Sequence, residues 1–223
     1  MTRNPCSGIR MREKKLYSQL PFVVILIMSV SLSSGCIQRN APSSIIDRYT
    51  FEYPSPEFTG IAHTVQTIKI ERFSVAKAYN SQSMVFRPEP YQLDTYASNR
   101  WMTNPGDMVS DYLLRDLRNS GLFKAALSYR DLEDTRYVLN GSVDEFLEVD
   151  NEGKRTAVIT LSITLLDFSR AGSEDRLLFQ KKYQATEPFT ERTPTGLANA
   201  MSTGMGKLSA MIIHDILQTV QAP

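Results

Sequence analysis

The sequence predicts a single α/β domain with a β-sheet and two main helices. Two observations carry this prediction: a series of strand-like runs in the middle of the chain, and a helix with an apolar stripe on each side of them. The composition is that of an ordinary globular protein, with 223 residues of which 42% are hydrophobic and 22% charged. No linker-like segment or internal repeat divides the chain after residue 46, so one domain is expected over 47–223.

Residues 1–35 have the layout of an export signal. A basic stretch ends at Lys14 and Lys15, a dense apolar run covers 22–28, and small residues follow up to Gly35. This order is typical of a secretory signal peptide. The alternative, a transmembrane anchor, needs about 20 predominantly apolar residues, whereas this run is far shorter and grades into serines.

Cys36 stands at the expected cleavage point. Cys6 lies in the segment to be removed, so the mature chain would keep one cysteine, at its own N-terminus. The sequence LSSGC over 32–36 resembles the bacterial lipobox, whose cysteine is linked to diacylglycerol and then N-acylated. Several acyl chains hold a protein firmly on a bilayer, so residues 36–46 are expected to form a lipidated N-terminus and a flexible tether. The alternative is an ordinary signal with an incidental cysteine.

The first half of the domain contains three extended runs. Apolar and polar residues alternate over 48–53 and again over 68–71, which predicts two strands with one buried face each. A third extended stretch is expected over 84–87. Pro88 and Pro90 then limit regular pairing, so the region that follows is expected to be an edge or an irregular loop.

A first helix is predicted after these runs. Asn104 can cap it, Pro105 suits the first helical position, and Asp107 places a carboxylate beside free N–H groups. Gly121 is expected to end the helix. Its core-facing side is marked by Val109, Tyr112, Leu113 and Leu117.

The middle of the chain predicts a meander of three strands. The strand-like runs cover 137–149, 156–168 and 176–185, and turn residues separate them at 151–153 and 171–173. The second run is expected to be central with one covered aliphatic face, formed by Ala157, Ile159, Leu161, Ile163 and Leu165.

A long helix is predicted to begin near Thr195. Gly204 and Gly206 interrupt it, which indicates close packing or a kink. Its apolar stripe favours a core role, with an adaptable methionine-rich binding surface as the alternative. The stripe consists of Leu197, Met201, Met205, Leu208, Ile212 and Ile216.

Charge and motifs exclude several classes of function. The chain has 25 Lys and Arg against 24 Asp and Glu, so it lacks the positive field that nucleic-acid binding requires. His63 and His214 are the only histidines and lack metal-site spacing, so no metal and no cofactor is predicted. Ser74 and Lys77 match a short serine–lysine pattern without its partner motifs, and we interpret that match as coincidence.

The order of residues resembles the ABC-type transport auxiliary lipoproteins of the paraquat-inducible protein C type. The resemblance covers essentially the whole mature chain, and the pair Arg100-Trp101 before a capped helix is its most specific element. Residues 53–56 depart from the tyrosine-leucine pattern expected there. The other shared features are the lipobox at Cys36, the aromatic residues of 49–53, VFR at 85–87 with Tyr91 and Tyr96, SGLF at 120–123, and LNGSV at 139–143 with Phe146.

This resemblance implies an α/β domain in which a mixed β-sheet packs with two main helices, akin to the N-terminal domain of the translocation protein TolB. It also implies a non-enzymatic role beside an ABC permease, its ATPase and a mammalian-cell-entry (MCE) domain protein that moves phospholipid between two membranes. Ile37, rather than an aspartate, follows Cys36, which implies the periplasmic face of the outer membrane. The alternative function is a lipoprotein with a ligand-binding or cell-envelope enzymatic role unrelated to ABC transport.

A candidate interface lies before the first helix. Tyr91, Tyr96, Arg100 and Trp101 supply the aromatic and arginine side chains that protein interfaces favour, in a mobile-looking stretch. They are predicted to contact the MCE partner or a second copy of the chain, and the sequence does not separate these two. The alternative is that Trp101 belongs to the core while Arg100 is solvated or pairs locally.

Overall fold

A computed structural model describes residues 45–60, 63–172 and 174–221, and in them nine strands and two helices follow one another along the chain. The predicted signal peptide and Cys36 lie outside these described residues. The helices are α1 (Pro105–Ser120) and α2 (Pro194–Val220), with a single 3₁₀ turn at Lys77–Tyr79. The strands are β1 (Asp47–Tyr49), β2 (Thr67–Ile70), β3 (Ser74–Val75), β4 (Ser83–Arg87), β5 (Asp94–Trp101), β6 (Ala125–Ser128), β7 (Tyr137–Asn151), β8 (Lys154–Asp167) and β9 (Leu177–Phe189).

The sheet is organised around the long strand β7. On one side, β8 and β9 extend it as an antiparallel meander. On the other side, β2, β3 and β4 pair with β7 one after another, all in parallel. Strand β6 joins β2 in parallel, β5 joins β4 in antiparallel orientation, and β1 joins β5 in parallel. The predicted fold class, a mixed sheet with two main helices, is confirmed.

The predicted meander is also confirmed. Its first turn places Glu152 and Gly153 at positive φ, 53° and 85°, and Asn151 pairs with Lys154 across this two-residue loop. Two consecutive positive φ values suit the twist of a hairpin, and glycine accepts the second at no steric cost. β8 lies between β7 and β9, and its aliphatic face from Ala157 to Leu165 is at most 2% exposed.

Both helices begin where local signals place them, and α1 also ends at its predicted glycine. The Asn104 side chain accepts a hydrogen bond from the Gly106 N–H, and Gly121 ends α1 at φ 63°. The Thr193 side chain caps α2, four residues after the end of β9. All six residues of the predicted α2 stripe are buried, which confirms their core role.

The two glycines of α2 mark close packing. A Cβ atom at Gly204 would lie 3.3 Å from the Cβ of Ala185 in β9, and one at Gly206 would lie 3.1 Å from the Tyr53 ring. The helix continues through both positions, so of the two predicted alternatives, close packing or a kink, close packing is the one observed.

Two predictions in the first half of the domain were wrong. The strand expected over 48–53 ends at Tyr49, because Pro54 and Pro56 cannot donate ladder hydrogen bonds and the preceding backbone groups find side-chain partners instead. The stretch before α1 is not irregular throughout, since Asp94–Trp101 forms β5 between β4 and β1. Its polar sequence lacks the alternation that would have predicted a strand.

Candidate functional site

Residues 50–58, which we call the strap, connect β1 to the rest of the domain and lie against both helices. The strap is extended but has no strand partner. The Glu52 N–H donates to the Ser202 hydroxyl of α2 at 2.9 Å, and the Tyr112 hydroxyl of α1 donates to the Phe51 carbonyl. Backbone groups that a sheet would normally pair are therefore satisfied by helix side chains.

A buried carboxylate fixes the centre of the strap. Asp116 of α1 is fully buried and accepts hydrogen bonds from Tyr53 and Ser55 of the strap, both at 2.8 Å. Ser209 of α2 donates at 2.6 Å and Arg115 Nε at 2.9 Å. A carboxylate offers about four acceptor positions, so these four donors saturate it. We call Asp116 with these four residues the clasp.

The charge of the clasp is balanced locally. The Arg115 guanidinium lies 2.7 Å from the Asp116 carboxylate and stacks over the rings of Tyr53 and Tyr112, at 4.4 and 4.5 Å from their centroids. Burial and the nearby Asp116 charge raise the pKa of Tyr53 far above its ordinary value. Tyr53 therefore remains a hydrogen-bond donor at any physiological pH.

The sequence prediction did not include the clasp, although one signal was present. Asp116 lies three residues after Leu113 and directly before Leu117, within the side of α1 that faces the core. A carboxylate on such a stripe requires buried partners. Those partners are distant in sequence, since Tyr53 is 63 residues and Ser209 93 residues away, so local patterns could not identify them.

The structure separates the four candidate interface residues. Trp101 is 1% exposed and packs edge-on against Phe146, with ring centroids 5.2 Å apart, and against Phe51 of the strap at 6.3 Å. Trp101 therefore follows the core alternative that the sequence left open. Its indole N–H has no hydrogen-bond partner among the described residues.

The other three candidates differ in what their side chains contact. The Tyr96 hydroxyl donates to the buried Glu148 at 2.6 Å. Burial of Tyr96 raises its pKa, and the hydrogen bond to Glu148 raises this pKa further. Arg100 donates to backbone carbonyls of its own strand, including that of Asn99 at 2.8 Å. Tyr91 alone is fully exposed. An interface role for the exposed atoms of these residues stays a prediction.

A second polar cluster lies where β8 ends. Burial alone would raise the pKa of Asp167, but hydrogen bonds from Arg136 and Ser169 outweigh it and lower the pKa to about 2. Arg136 Nη2 lies 3.0 Å from the carboxylate, and the Ser169 hydroxyl lies 2.7 Å away. Asp167 is thus an ionised structural partner that joins the start of β7 to the end of β8.

An open groove of about 590 Å³ lies between β9 and α2. Three of its polar groups are engaged with one another, because Asp215 accepts from Lys181 at 2.5 Å and from the Tyr183 hydroxyl at 2.7 Å. Other polar side chains of the lining have partners outside the groove, since Gln184 donates to Thr160 and His214 lies 3.4 Å from Gln218. It is lined by Phe58, Lys181, Lys182, Tyr183, Gln184, Ala210, Met211, His214 and Asp215.

Residues considered for catalysis or metal binding lie apart. Ser74 is in β3 and Lys77 in the following 3₁₀ turn, both with exposed side chains and no hydrogen bond between them. His63 bonds the Gly121 carbonyl, whereas His214 lies on α2 near Gln218. Across the described residues no group of three or more potential metal ligands occurs, and no helix there is long and apolar enough to cross a membrane.

Comparison with protein families identifies the fold's relatives. The family model for the ABC-type transport auxiliary lipoprotein component matches residues 49–213, which include the strap, the sheet and most of α2. The chain belongs to this family. Membership in the ABC-type transport auxiliary lipoproteins implies an envelope-anchored lipoprotein with a transporter as its partner, and confirms the resemblance drawn from the sequence.

Solved structures share the fold of this auxiliary lipoprotein. Protein XCC0632 from Xanthomonas campestris is 19% identical, with a TM-score of 0.71 over 78% of this chain and 96% of its own. The hypothetical protein CT253 from Chlamydia trachomatis is 10% identical, with a TM-score of 0.50 over 72% of this chain and 100% of its own. At these identities the likeness shows the fold alone. No curated protein matches the chain.

Proposed function

We propose that this auxiliary lipoprotein is anchored to the periplasmic face of the outer membrane and serves an MCE-type ABC transporter. Its role is non-enzymatic, and the transporter moves phospholipid between the inner and outer membranes. The single observation that carries the proposal is the family match over 49–213, which spans nearly the whole described domain. The MCE-domain protein is the proposed direct partner.

The proposed anchor is the Cys36 lipid, and the tether joins it to β1, which the strap follows. Cys36 is the cysteine of the lipobox-like sequence, and only ten residues separate it from Asp47, where β1 begins. The strap follows β1 directly and is held by the clasp. A load on the tether would therefore reach β5 through β1 first, and the strap would pass it on to both helices through Asp116.

The use of the buried polar groups supports a non-enzymatic role. Asp116 is saturated by four internal donors, Glu148 is bound by Tyr96 and by Arg155 at 2.9 Å, and Asp167 is held by Arg136 and Ser169. Each buried carboxylate thus stabilises the fold. Catalytic carboxylates, in contrast, keep a face free for substrate.

Mass spectrometry of the native N-terminus tests the anchor. We expect cleavage before Cys36, three acyl chains on that residue, and recovery of the protein in the outer-membrane fraction. The Cys36→Ala variant should be lost from that fraction, whereas the matched Cys6→Ala variant should behave like the parent, because Cys6 lies in the segment to be removed. An unacylated N-terminus in the parent would contradict the proposal.

Co-purification tests the partner. The affinity-tagged protein, solubilised in mild detergent, is expected to retain an MCE-domain protein. Deletion of the gene for the auxiliary lipoprotein should cause the same envelope phenotype as deletion of the transporter genes. Retention of an unrelated protein instead, with no MCE-domain protein in the eluate, would contradict the proposed transporter class while leaving the family assignment intact.

A further inference from the structure

We propose that the outer edge of β9 is a docking site for an extended segment of the partner protein, which adds to the sheet as a further strand. We call residues 179–187 of β9 the free edge. The backbone of the segment pairs with the free edge, and its alternate side chains enter the groove between β9 and α2. This inference rests on the proposed function, because it takes the MCE-domain protein as the partner.

The free edge is the longest outer edge in the described part of the sheet. β9 is 13 residues long, and β8 is its only strand neighbour among the described residues. On the other side of the sheet the outer strands are short, with four residues in β6 and three in β1. An outer strand presents a row of N–H and C=O groups that another chain can pair with. β9 therefore provides the longest template for an added strand.

Pro188 indicates which backbone groups of β9 point outward. Proline has no N–H and is tolerated in a sheet where its nitrogen points away from the neighbouring strand. Pro188 lies opposite Thr156 of β8, and pairing stays regular from there to Phe179. Because the direction of the backbone groups alternates from residue to residue, four residues of the free edge offer an N–H and a C=O group to an added strand. They are Gln180, Lys182, Gln184 and Thr186.

Features that block pairing lie at the ends of the free edge rather than within it. A register shift precedes it and a proline follows it. Lysines on an outer strand can also discourage pairing, and Lys181 and Lys182 lie in the middle. However, Lys181 contacts Asp215 of α2 at 2.5 Å, and Lys182 lies 3.9 Å from Asp144 of β7. Both side chains are thus directed to the faces of the sheet, which leaves the backbone edge accessible.

The groove beside the free edge indicates which kind of segment fits. Met211 and Ala210 of α2 and Phe58 of the strap give it apolar walls, and Met211 is 43% exposed. Methionine adapts to partners of different shape. The polar side chains of the groove are already engaged, as the Tyr183–Asp215 hydrogen bond illustrates, so the backbone of β9 is the group left to recognise a ligand. The segment is therefore an extended polypeptide with apolar side chains at alternate positions.

The polar surface of α2 disfavours a second copy of the chain as the occupant. Antiparallel pairing of two β9 strands about a two-fold axis places both α2 helices side by side on one face of the joined sheet. That arrangement would bury the exposed side chains of Lys207, His214 and Gln218. Burial of such groups without new partners costs free energy. A single added strand brings no second helix over them, so a segment of a different protein fits better.

Hydrogen exchange on the co-purified complex tests the inference. The full lipidated protein is compared alone and bound to the MCE-domain protein, with exchange resolved to single residues. The amides of Lys182 and Gln184 are expected to exchange at least about a hundredfold more slowly in the complex, because they become hydrogen-bonded there. The amides of Tyr183 and Ala185 point to β8 in both states and serve as the internal control.

Two substitutions at one position separate backbone pairing from side-chain contact. Gln184→Pro removes an outward N–H without breaking a bond to β8, and should lower the amount of retained MCE-domain protein at least about tenfold. Gln184→Ala is the matched control, since it loses the same side-chain bond to Thr160 but keeps the N–H, and it should retain as much partner as the parent. Melting temperatures similar to that of the parent verify that both variants fold.

The possible outcomes separate this inference from the proposed function. A complex that forms without slower exchange at the free edge would overturn the inference and leave the proposed function standing. Equal partner retention by the folded Gln184→Pro and Gln184→Ala variants would do the same, and if Gln184→Pro fails to fold, the exchange comparison on the parent decides. Absence of any MCE-domain protein from the eluate would overturn both. Slow exchange at Lys182 and Gln184 in the protein alone, with twice the monomer mass, would identify a second copy as the occupant and overturn the inference.

Discussion

α2 and the strap pack beside each other, but different interactions hold them. α2 buries a continuous apolar stripe against the sheet, whereas the strap buries one large apolar side chain, Phe51, and depends on hydrogen bonds to α1 and α2. Apolar burial is non-directional and tolerates small shifts. Hydrogen bonds to a saturated carboxylate are directional, so a single polar substitution should destabilise the strap more than it destabilises α2.

The largest expected effect comes from Trp101, the core side chain against which Phe51 of the strap packs. Trp101→Ala removes the ring on which Phe51 and Phe146 pack, and should lower the free energy of unfolding by about 3–5 kcal/mol. Urea denaturation measures this loss. Trp101→Phe is the control and should cost less than about 1.5 kcal/mol, because the volume change is smaller and no hydrogen bond is lost. Equal losses for both variants would contradict this packing account.

The clasp provides the next effect. Asp116→Asn leaves donors of the strap and the Arg115 charge incompletely paired in a buried position, so we expect a loss of about 2–3 kcal/mol in the free energy of unfolding. The matched change Asp111→Asn affects an exposed carboxylate on the same helix and should stay within about 0.5 kcal/mol. An Asp116→Asn variant with an unchanged free energy of unfolding would show that the strap is held by Phe51 alone.

The Asp167 cluster tests whether a second polar cluster behaves like the clasp. The folded-state pKa, about 2, lies below the ordinary value of 3.8, so this group contributes stability that is fully present above the ordinary pKa. The contribution is lost as pH falls from about 4 toward 2, and amounts to about 2 kcal/mol. Denaturation at pH 6 and pH 2.5 should therefore show a larger drop for the parent than for Asp167→Asn. Parallel drops would argue against the paired carboxylate.

The smallest effect concerns the point where α2 meets the strap. Gly206→Ala gains helix propensity of about 1 kcal/mol, but its new Cβ lies 3.1 Å from the Tyr53 ring that the clasp holds in place. We expect the two contributions to cancel or to leave a small net loss. In a Tyr53→Ala background the same change should stabilise by about 1 kcal/mol. A double-mutant cycle measures the difference, and perfect additivity would contradict the contact.

Local and distant interactions explain what the sequence could predict. Asn104 and Gly121 act within one turn of α1, and the aliphatic alternation of β8 is complete within the strand, so these elements followed from pattern alone. The strap and β5 did not. β5 is a strand because β4 and β1 pair with it. The strap is held by hydrogen bonds to Asp116 and Ser202, which are 61 to 150 residues away in sequence from the strap residues they bind.

The family role was predictable from the order of short motifs, whereas the site was not. Arg100 and Trp101 carried the resemblance, yet Trp101 is a core residue, which shows that a residue can mark a family through packing rather than through contact with a partner. The saturated carboxylates, by contrast, carry no motif. Their partners lie on other elements, since Asp116 binds Ser209 of α2 and Asp167 binds Arg136 beside the start of β7.

Hydrogen exchange of the strap amides tests the central claim, that the clasp fixes the strap, which follows β1, onto the domain. In the parent, peptides that contain Glu52, whose N–H donates to the Ser202 hydroxyl, should keep one amide that exchanges as slowly as those of α1, although the strap has no strand partner. In Asp116→Asn their exchange should accelerate at least tenfold while β7 and β8 stay protected, and Asp111→Asn should leave both unchanged. Rapid strap exchange in the parent, or uniform acceleration throughout the Asp116→Asn domain, would contradict the claim.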